Sequence, residues 1–319
     1  MMCFRPITLT DGDGKPYNVP CGKCAACLHN LTYEWYVRLL CEFYNARNAF
    51  FITLTYNDES LPYHCVDRGC FDANLHLLRS DPRLSKKDLD IFIRACVFKD
   101  SKVKFPVYSK TDLQKFLKRL RYNLGLDGLK YFGISEYCPT SLRPHYHLII
   151  FNALPSGSSF DTFVKCIERS WSKGFVDVKT LNDNRIFYTV KYCFGSIFLP
   201  SWPYSLPGVK PRRFMSKGLG LSYLTDEIIR WHKEDLKTYY QDGRRKLKLP
   251  RYLRDKIFND EELLQIQERT QLFLLDHNHN YRKKLSELRI MDSVKGVSSL
   301  QEQEDMLNKK ISDKYRKRH

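Results

Sequence analysis

No apolar run in this sequence approaches the roughly 20 residues that a bilayer-spanning helix needs; the longest, such as Leu148 to Phe151, are far shorter. No lipidation signal is present. The opening Met1-Met2-Cys3-Phe4-Arg5-Pro6 lacks the apolar region of a signal peptide. Also missing is a G-x-x-x-x-G-K-[ST] segment, so no phosphate-cradling loop for ATP can be assigned, and no internal repeat is visible. These absences point away from a membrane protein, a secreted protein and a self-powered motor. We expect an intracellular chain whose eleven cysteines serve as thiols or metal ligands and not as disulfides.

Acidic residues are few beside basic ones. With 53 Lys and Arg against 36 Asp and Glu, the formal charge is +17 and the isoelectric point is near 9.3. Such an excess most often serves a polyanionic partner, with nucleic acid the first candidate. The length of 319 residues allows one substantial core with extensions, or two small domains.

Residues 24 to about 48 read as a helix, with Tyr36, Leu39, Leu40 and Phe43 at i, i+3, i+4, i+7 spacing. Ala49 to Tyr56, rich in β-branched and aromatic residues, reads as a buried strand. The polar stretch from there to about Lys110 reads as loop with a short helix. Thr111-Asp112-Leu113-Gln114 has a capping-box pattern and opens a helix with Leu113, Phe116, Leu117, Leu120 and Leu124 on one stripe, closed by Gly125. Leu129 to Tyr137 and Arg143 to Asn152 read as strands. Phe160 to Trp171 reads as a helix stopped by Gly174, Phe175 to Lys179 as a short strand, and Asn184 to Phe194 as a helix ended by Gly195. The order predicts an α+β fold. Four prolines between Pro200 and Pro211 suggest a boundary. The expected organisation is a cysteine-rich segment and helix over residues 1–48, a catalytic core over 49–200, and a basic, mainly helical C-terminal extension over 201–319 that includes a helix from Asn259 to about Met291 and a basic tail.

Two short segments carry the chemistry. In Arg143-Pro144-His145-Tyr146-His147, strand alternation puts His145 and His147 on one face, where one ion can take both imidazoles. In Tyr188-Thr189-Val190-Lys191-Tyr192, helical spacing sets the two phenols side by side, with Lys191 next to Tyr188. Glu136, on the preceding strand, offers a third metal ligand if a hairpin brings it across from the histidines. A phenol with a pKa of about 10 is a weak nucleophile until something accepts its proton. A bound ion would polarise a phosphodiester, and Lys191 would neutralise a phosphate oxygen or favour the phenolate. The plainer readings are hydrogen-bonded or surface histidines and amphipathic surface tyrosines.

His145-Tyr146-His147, the upstream Phe51-Ile52-Thr53-Leu54-Thr55-Tyr56 and the downstream Tyr188 to Tyr192 resemble the three ordered motifs of the HUH endonuclease superfamily, the tyrosine transferases that initiate rolling-circle replication. The two-tyrosine class is the nearer match. Within it, the order of Cys21-Gly22-Lys23-Cys24, Trp35 with Arg38, Thr53 to Tyr56, Arg143 to His147, Lys191-Tyr192 and Gly218-Leu219-Gly220 is similar to replication initiators of microviruses, the gokushovirus branch especially. The resemblance covers roughly residues 20 to 225. It implies an RRM-like antiparallel sheet flanked by helices, Mg²⁺ or Mn²⁺ held by His145, His147 and Glu136, and Tyr188 and Tyr192 alternating as nucleophiles through a 5′-phosphotyrosine link. It implies as partners single-stranded DNA and a replication origin, with a host helicase and polymerase extending the free 3′ hydroxyl in the bacterial cytoplasm. Where the family pattern often has Gly before the acidic residue, Ser135 precedes Glu136 here. By ligand softness, a two-imidazole site favours Mn²⁺ over Mg²⁺.

Cys21-x-x-Cys24-x-x-Cys27, with Cys3 as a fourth ligand, suits a structural Zn²⁺; three reduced thiols at a helix start fit the spacing equally well, and an iron–sulfur cluster fits less well. Lys115, Lys118 and Arg119 on one helix face, Arg143, and Lys210, Arg212 and Arg213 are candidates for phosphate contacts, as are Arg244, Arg245, Lys246 and Lys248; solubility alone is the competing explanation. His277-Asn278-His279 contains the letters of a nuclease motif, but its flanks supply no strand pair and no third ligand, so a polar loop is the better reading. Competing functions are a relaxase or single-strand transposase of the same chemistry, a non-enzymatic nucleic-acid-binding regulator on an RRM-like sheet, and a two-His-one-carboxylate iron oxygenase, which leaves the tyrosines and the charge without a role.

Overall fold

The computed structural model describes residues 3, 6–80, 85–126, 128–192, 209–270 and 272. They fall into two compact units: Met1–Arg38 with Tyr223–His319, and Leu39–Ser222. In chain order the elements are β1 (Ile7–Thr10), β2 (Pro16–Val19), α1 (Ala25–Tyr44), β3 (Ala49–Tyr56), β4 (Tyr63–Asp67), α2 (Arg68–Arg79), α3 (Lys86–Ala95), β5 (Val97–Lys99), β6 (Lys102–Pro106), α4 (Lys110–Leu124), β7 (Lys130–Tyr137), β8 (Pro144–Phe151), α5 (Phe160–Trp171), β9 (Gly174–Thr180), α6 (Asp183–Tyr192) and β10 (Arg213–Met215). The division between the units falls inside α1.

The second unit is α+β, built on an antiparallel five-stranded sheet of order β10-β7-β8-β3-β9. β3 and β8 occupy its middle because their apolar runs are buried on both faces. On one face Leu54, Tyr56, Tyr146, Leu148 and Ile150 join Leu113, Phe116, Leu117 and Leu120 of α4 and Phe163, Ile167 and Trp171 of α5 in a single core. The Trp171 indole N–H donates to Thr55 O at 3.1 Å, which locks α5 to β3. At Gly174 the backbone passes so close to Thr55, Tyr56 and Asn57 that a side chain would strike it, and φ is +146°. Only glycine enters β9 there without strain.

Two sequence expectations are corrected. Residues 57–110 are not loop with one short helix: β4, β6 and β5 form a three-stranded sheet accompanied by α2 and α3. The period lies beneath many charges, with Phe71, Leu75 and Leu78 at helical spacing and Val103 and Phe105 alternating with lysines along β6. The cap of α4 is also Ser109, whose Oγ accepts from Asp112 N at 3.1 Å, and not Thr111. Gly125 ends that helix at φ +62° as the sequence suggests. The edge strand β10 comes from beyond the proline-rich stretch.

In the first unit, β1 and β2 form a ribbon whose side chains are nearly all exposed. The Arg38 guanidinium lies between the rings of Trp35 and Tyr252, 4.1 Å from each centroid. A helix at Asp226–Lys233, a hairpin of Tyr239–Asp242 with Arg245–Lys248, a helix at Arg251–Ile257 and helical residues 260–270 follow. The expected helix from Asn259 is present to that extent; its remainder to Met291, the His277–His279 segment and the basic tail lie outside the described residues. Among the described residues, no helix is long and apolar enough to cross a membrane.

Candidate active site

The face of the central sheet opposite α4 and α5 carries the polar cluster. The β7–β8 register sets Glu136 directly across from His145, and the β3–β8 register sets Thr53 across from His147. Cross-strand partners share a face, so all four side chains project together. The two imidazole Nε2 atoms are 3.1 Å apart. Glu136 Oε2 is 3.3 Å from His147 Nε2 and 3.9 Å from His145 Nε2. Two ligands about 2.1 Å from one ion at a right angle stand about 3.0 Å apart, so this spacing suits a shared divalent cation.

Each ring is oriented through its other nitrogen. His145 Nδ1 lies 3.3 Å from Arg143 O; a carbonyl only accepts, so Nδ1 carries the proton and the neutral ring offers its Nε2 lone pair. His147 Nδ1 is 3.1 Å from Thr53 Oγ1. Such outer contacts are how ligating histidines are normally aimed. Burial drives both imidazoles from 6.5 down to about 4. For His145 the neighbouring His147 adds to the shift, while Glu136 and the Arg143 carbonyl oppose it; for His147 Asp177 opposes it. Both rings are therefore neutral at pH 7, the form that binds metal.

α6 runs along the same face. The Asn182 side chain accepts from Arg185 N at 3.0 Å to start the helix, and Ile186 and Val190 are fully buried. The Tyr188 ring meets His147 edge-on, with centroids 5.4 Å apart and planes at 81°, while Phe51 stacks on the other side of that imidazole at 5.2 Å. Lys191 is buried at 8% exposure. Tyr192 closes the helix one turn after Tyr188; its side chain lies outside what is described. Thr53 and the Arg143 carbonyl, which orient the histidines, were not assigned roles from sequence. Thr53 is legible in retrospect as a polar position facing inward along an apolar strand.

The basic candidates part company. α4 packs on the other face of the sheet, so exposed Lys115 and Lys118 are not brought to the cluster. Arg119 turns to the end of α5, its Nε donating to Ser170 O at 2.7 Å and Nη2 to Trp171 O at 3.4 Å. Arg143 donates to Tyr56 O at 2.7 Å and pairs with Asp58. Lys210, Arg212 and Arg213 are exposed around β10, with Arg212 N bonded to Ser135 Oγ at 2.8 Å. In the other unit Cys3, Cys21, Cys24 and Cys27 converge, their sulfurs all within 4.8 Å of one another.

Residues 98–195 match the family model for replication-associated protein ORF2. The chain is similar to replication-associated protein ORF2 of Spiroplasma virus 4, 29% identical over 246 residues, which covers 74% of this chain and 66% of that protein. It is likewise similar to replication-associated protein VP4 of a Bdellovibrio phage, 27% identical over 49% of this chain and 39% of the relative. Replication-associated protein ORF4 of Chlamydia phage 1 is 23% identical over 55% of this chain and 38% of its own length. The alignments thus span less than two thirds of each relative. No solved structure matches.

Proposed function

We propose that this chain is a replication initiation endonuclease of a small single-stranded-DNA phage, an HUH enzyme of the two-tyrosine class acting in the bacterial cytoplasm. The observation that carries the reading is the contact of the Tyr188 ring with His147, inside a cluster where two neutral imidazoles and a carboxylate converge. Similarity to phage replication-associated proteins gives that cluster its substrate, single-stranded or origin DNA.

Glu136, His145 and His147 would hold Mn²⁺ or Mg²⁺, the two imidazoles favouring Mn²⁺. Bound there, the ion supplies Lewis acidity and orientation at the scissile phosphate. Tyr188 Oη attacks phosphorus, the P–O3′ bond breaks, the phenolic proton passes to an acceptor and the leaving 3′ oxygen takes one up. A 5′-phosphotyrosine and a free 3′ hydroxyl result. At pH 7 a phenol with a pKa of about 10 is ionised about once in a thousand, a cost of about 4 kcal/mol, and Lys191, one turn along α6 from Tyr188, reduces it by favouring the phenolate. Tyr192 serves the second transfer, which rejoins the strand. Unwinding and extension fall to a host helicase and polymerase.

The test is a denaturing gel of protein incubated with cognate circular single-stranded DNA, with and without Mn²⁺. A metal-dependent covalent adduct that survives Tyr188→Phe or Tyr192→Phe singly, and is lost in the double variant, supports two interchangeable nucleophiles. Tight DNA binding with no adduct under any divalent metal would replace the enzyme with a non-catalytic regulator.

A further inference from the structure

We propose that Cys3, Cys21, Cys24 and Cys27 hold a structural Zn²⁺ in a four-thiolate site that fastens the exposed β1–β2 ribbon to the start of α1. The sulfurs have tetrahedral spacing: Cys3 Sγ to Cys24 Sγ is 3.8 Å and Cys21 Sγ to Cys27 Sγ is 4.0 Å, whereas four Zn–S bonds of about 2.3 Å at tetrahedral angles set sulfurs about 3.8 Å apart. They are too far apart for disulfides, whose S–S bond is about 2.05 Å. A four-iron cluster, in which each cysteine binds a different iron, would spread its sulfurs more widely.

The backbone around the sulfurs is arranged for thiolates. Gly22 at φ +71° turns the chain so that the N–H groups of Lys23 and Cys24 point to Cys21 Sγ, at 3.5 and 3.3 Å. Cys21 N donates to Cys3 Sγ at 3.3 Å. These donors stabilise charged sulfur in the way outer contacts tune metal ligands.

What the ion does follows from what the ribbon lacks. Its strands are four residues each, and Ile7, Leu9 and Tyr17 are 49%, 43% and 47% exposed. An isolated two-stranded ribbon is marginal in water, and the only buried residues beside the sulfurs are Cys24, Ala26 and Cys27 themselves. Cys3 precedes the ribbon and Cys21 follows it, so metal binding closes the segment and substitutes for a hydrophobic core. Thiolates select Zn²⁺ over the hard cations suited to the imidazole–carboxylate cluster, so the two sites load independently.

Metal content of the full chain, purified under reducing conditions, tests this without reference to nicking. The expected result is about one zinc per chain, retained on dialysis against Mg²⁺, abolished in Cys24→Ser and Cys27→Ser, and unchanged in His147→Ala and in Cys70→Ser, a change at an exposed cysteine. If the cysteine variants prove insoluble, wild type decides: chelation should release the zinc and speed amide exchange across residues 7–19 by roughly tenfold or more, and Co²⁺ should restore protection with intense thiolate-to-metal bands. Iron in place of zinc, zinc lost with His147→Ala instead of Cys24→Ser, or metal-free protein whose four thiols react as fast as Cys65 and Cys70 would overturn it.

Discussion

Glu136, His145 and His147 stand on paired strands in the middle of a buried sheet, whereas Cys3, Cys21, Cys24 and Cys27 stand on irregular chain and a helix start around a ribbon with little to bury. The first cluster is aimed by neighbours that exist without an ion: the Arg143 carbonyl, Thr53 and the ring of Phe51. The second is aimed mainly by its own members. A preorganised site keeps its ligands in place when empty, which suits an ion that must accept and release a phosphate. A site with almost no core of its own needs its ion to stay folded, which suits a staple. Catalytic positioning and structural closure are thus assigned to different regions by how much apolar surface each one buries.

The sharpest way to break this contrast is His147→Ala. Loss of an outer contact costs about 10–100-fold in metal affinity, and loss of a ligand should exceed it: Mn²⁺ binding by calorimetry should fall beyond a hundredfold and the DNA adduct should disappear, with zinc content and far-ultraviolet dichroism unchanged. Next in size is Leu148→Ala beneath the site. Leu148 is fully buried, and such truncations cost about 2–5 kcal/mol; urea unfolding should register that loss, whereas zinc chelation should expose residues 7–19 and leave the sheet's transition in place.

Thr53→Val removes the hydroxyl beside His147 Nδ1 and keeps the shape of the side chain. About a tenfold loss of Mn²⁺ affinity is expected, with stability little changed; an unaltered titration would mean that the ring is aimed by packing alone. The smallest effect concerns pH. Both imidazoles titrate at about 4 in the folded chain against 6.5 when unperturbed. As pH falls below 6.5 the unfolded chain takes up protons first, so stability falls between about 6.5 and 4 and that loss levels off below. Without a metal, unfolding free energy should therefore decline across that window in wild type, and less steeply in His145→Phe.

Much of the sheet was legible because its signals are local. Ala49–Tyr56, Phe160–Trp171 and the two strands that carry Glu136 and His145 follow from apolar runs, alternation and helical stripes, and the pairing of Glu136 with His145 follows from a short hairpin. The region from residue 57 to 110 was not, since Phe71, Leu75 and Leu78 keep their helical spacing among charges and the sheet of β4, β6 and β5 depends on pairing between segments distant in sequence. Arg119 illustrates the same limit: sequence puts it on a basic face with Lys115 and Lys118, yet its partner is the end of α5, fifty residues on. The convergence of Cys3 with Cys21 depends on the ribbon between them, which composition alone does not reveal.

The central claim is that α6 supplies the nucleophile beside the imidazole–carboxylate cluster, and mapping the covalent linkage tests it most directly. Trypsin cleaves after Arg185 and Lys191, so Tyr188 and Tyr192 fall in different peptides. After a Mn²⁺-dependent reaction with cognate single-stranded DNA and nuclease trimming, mass spectrometry should find a nucleotide on the peptide Ile186 to Lys191, on the peptide that begins at Tyr192, or on both. A DNA-linked tyrosine outside α6, or a linkage that forms equally well in His147→Ala, would contradict the account.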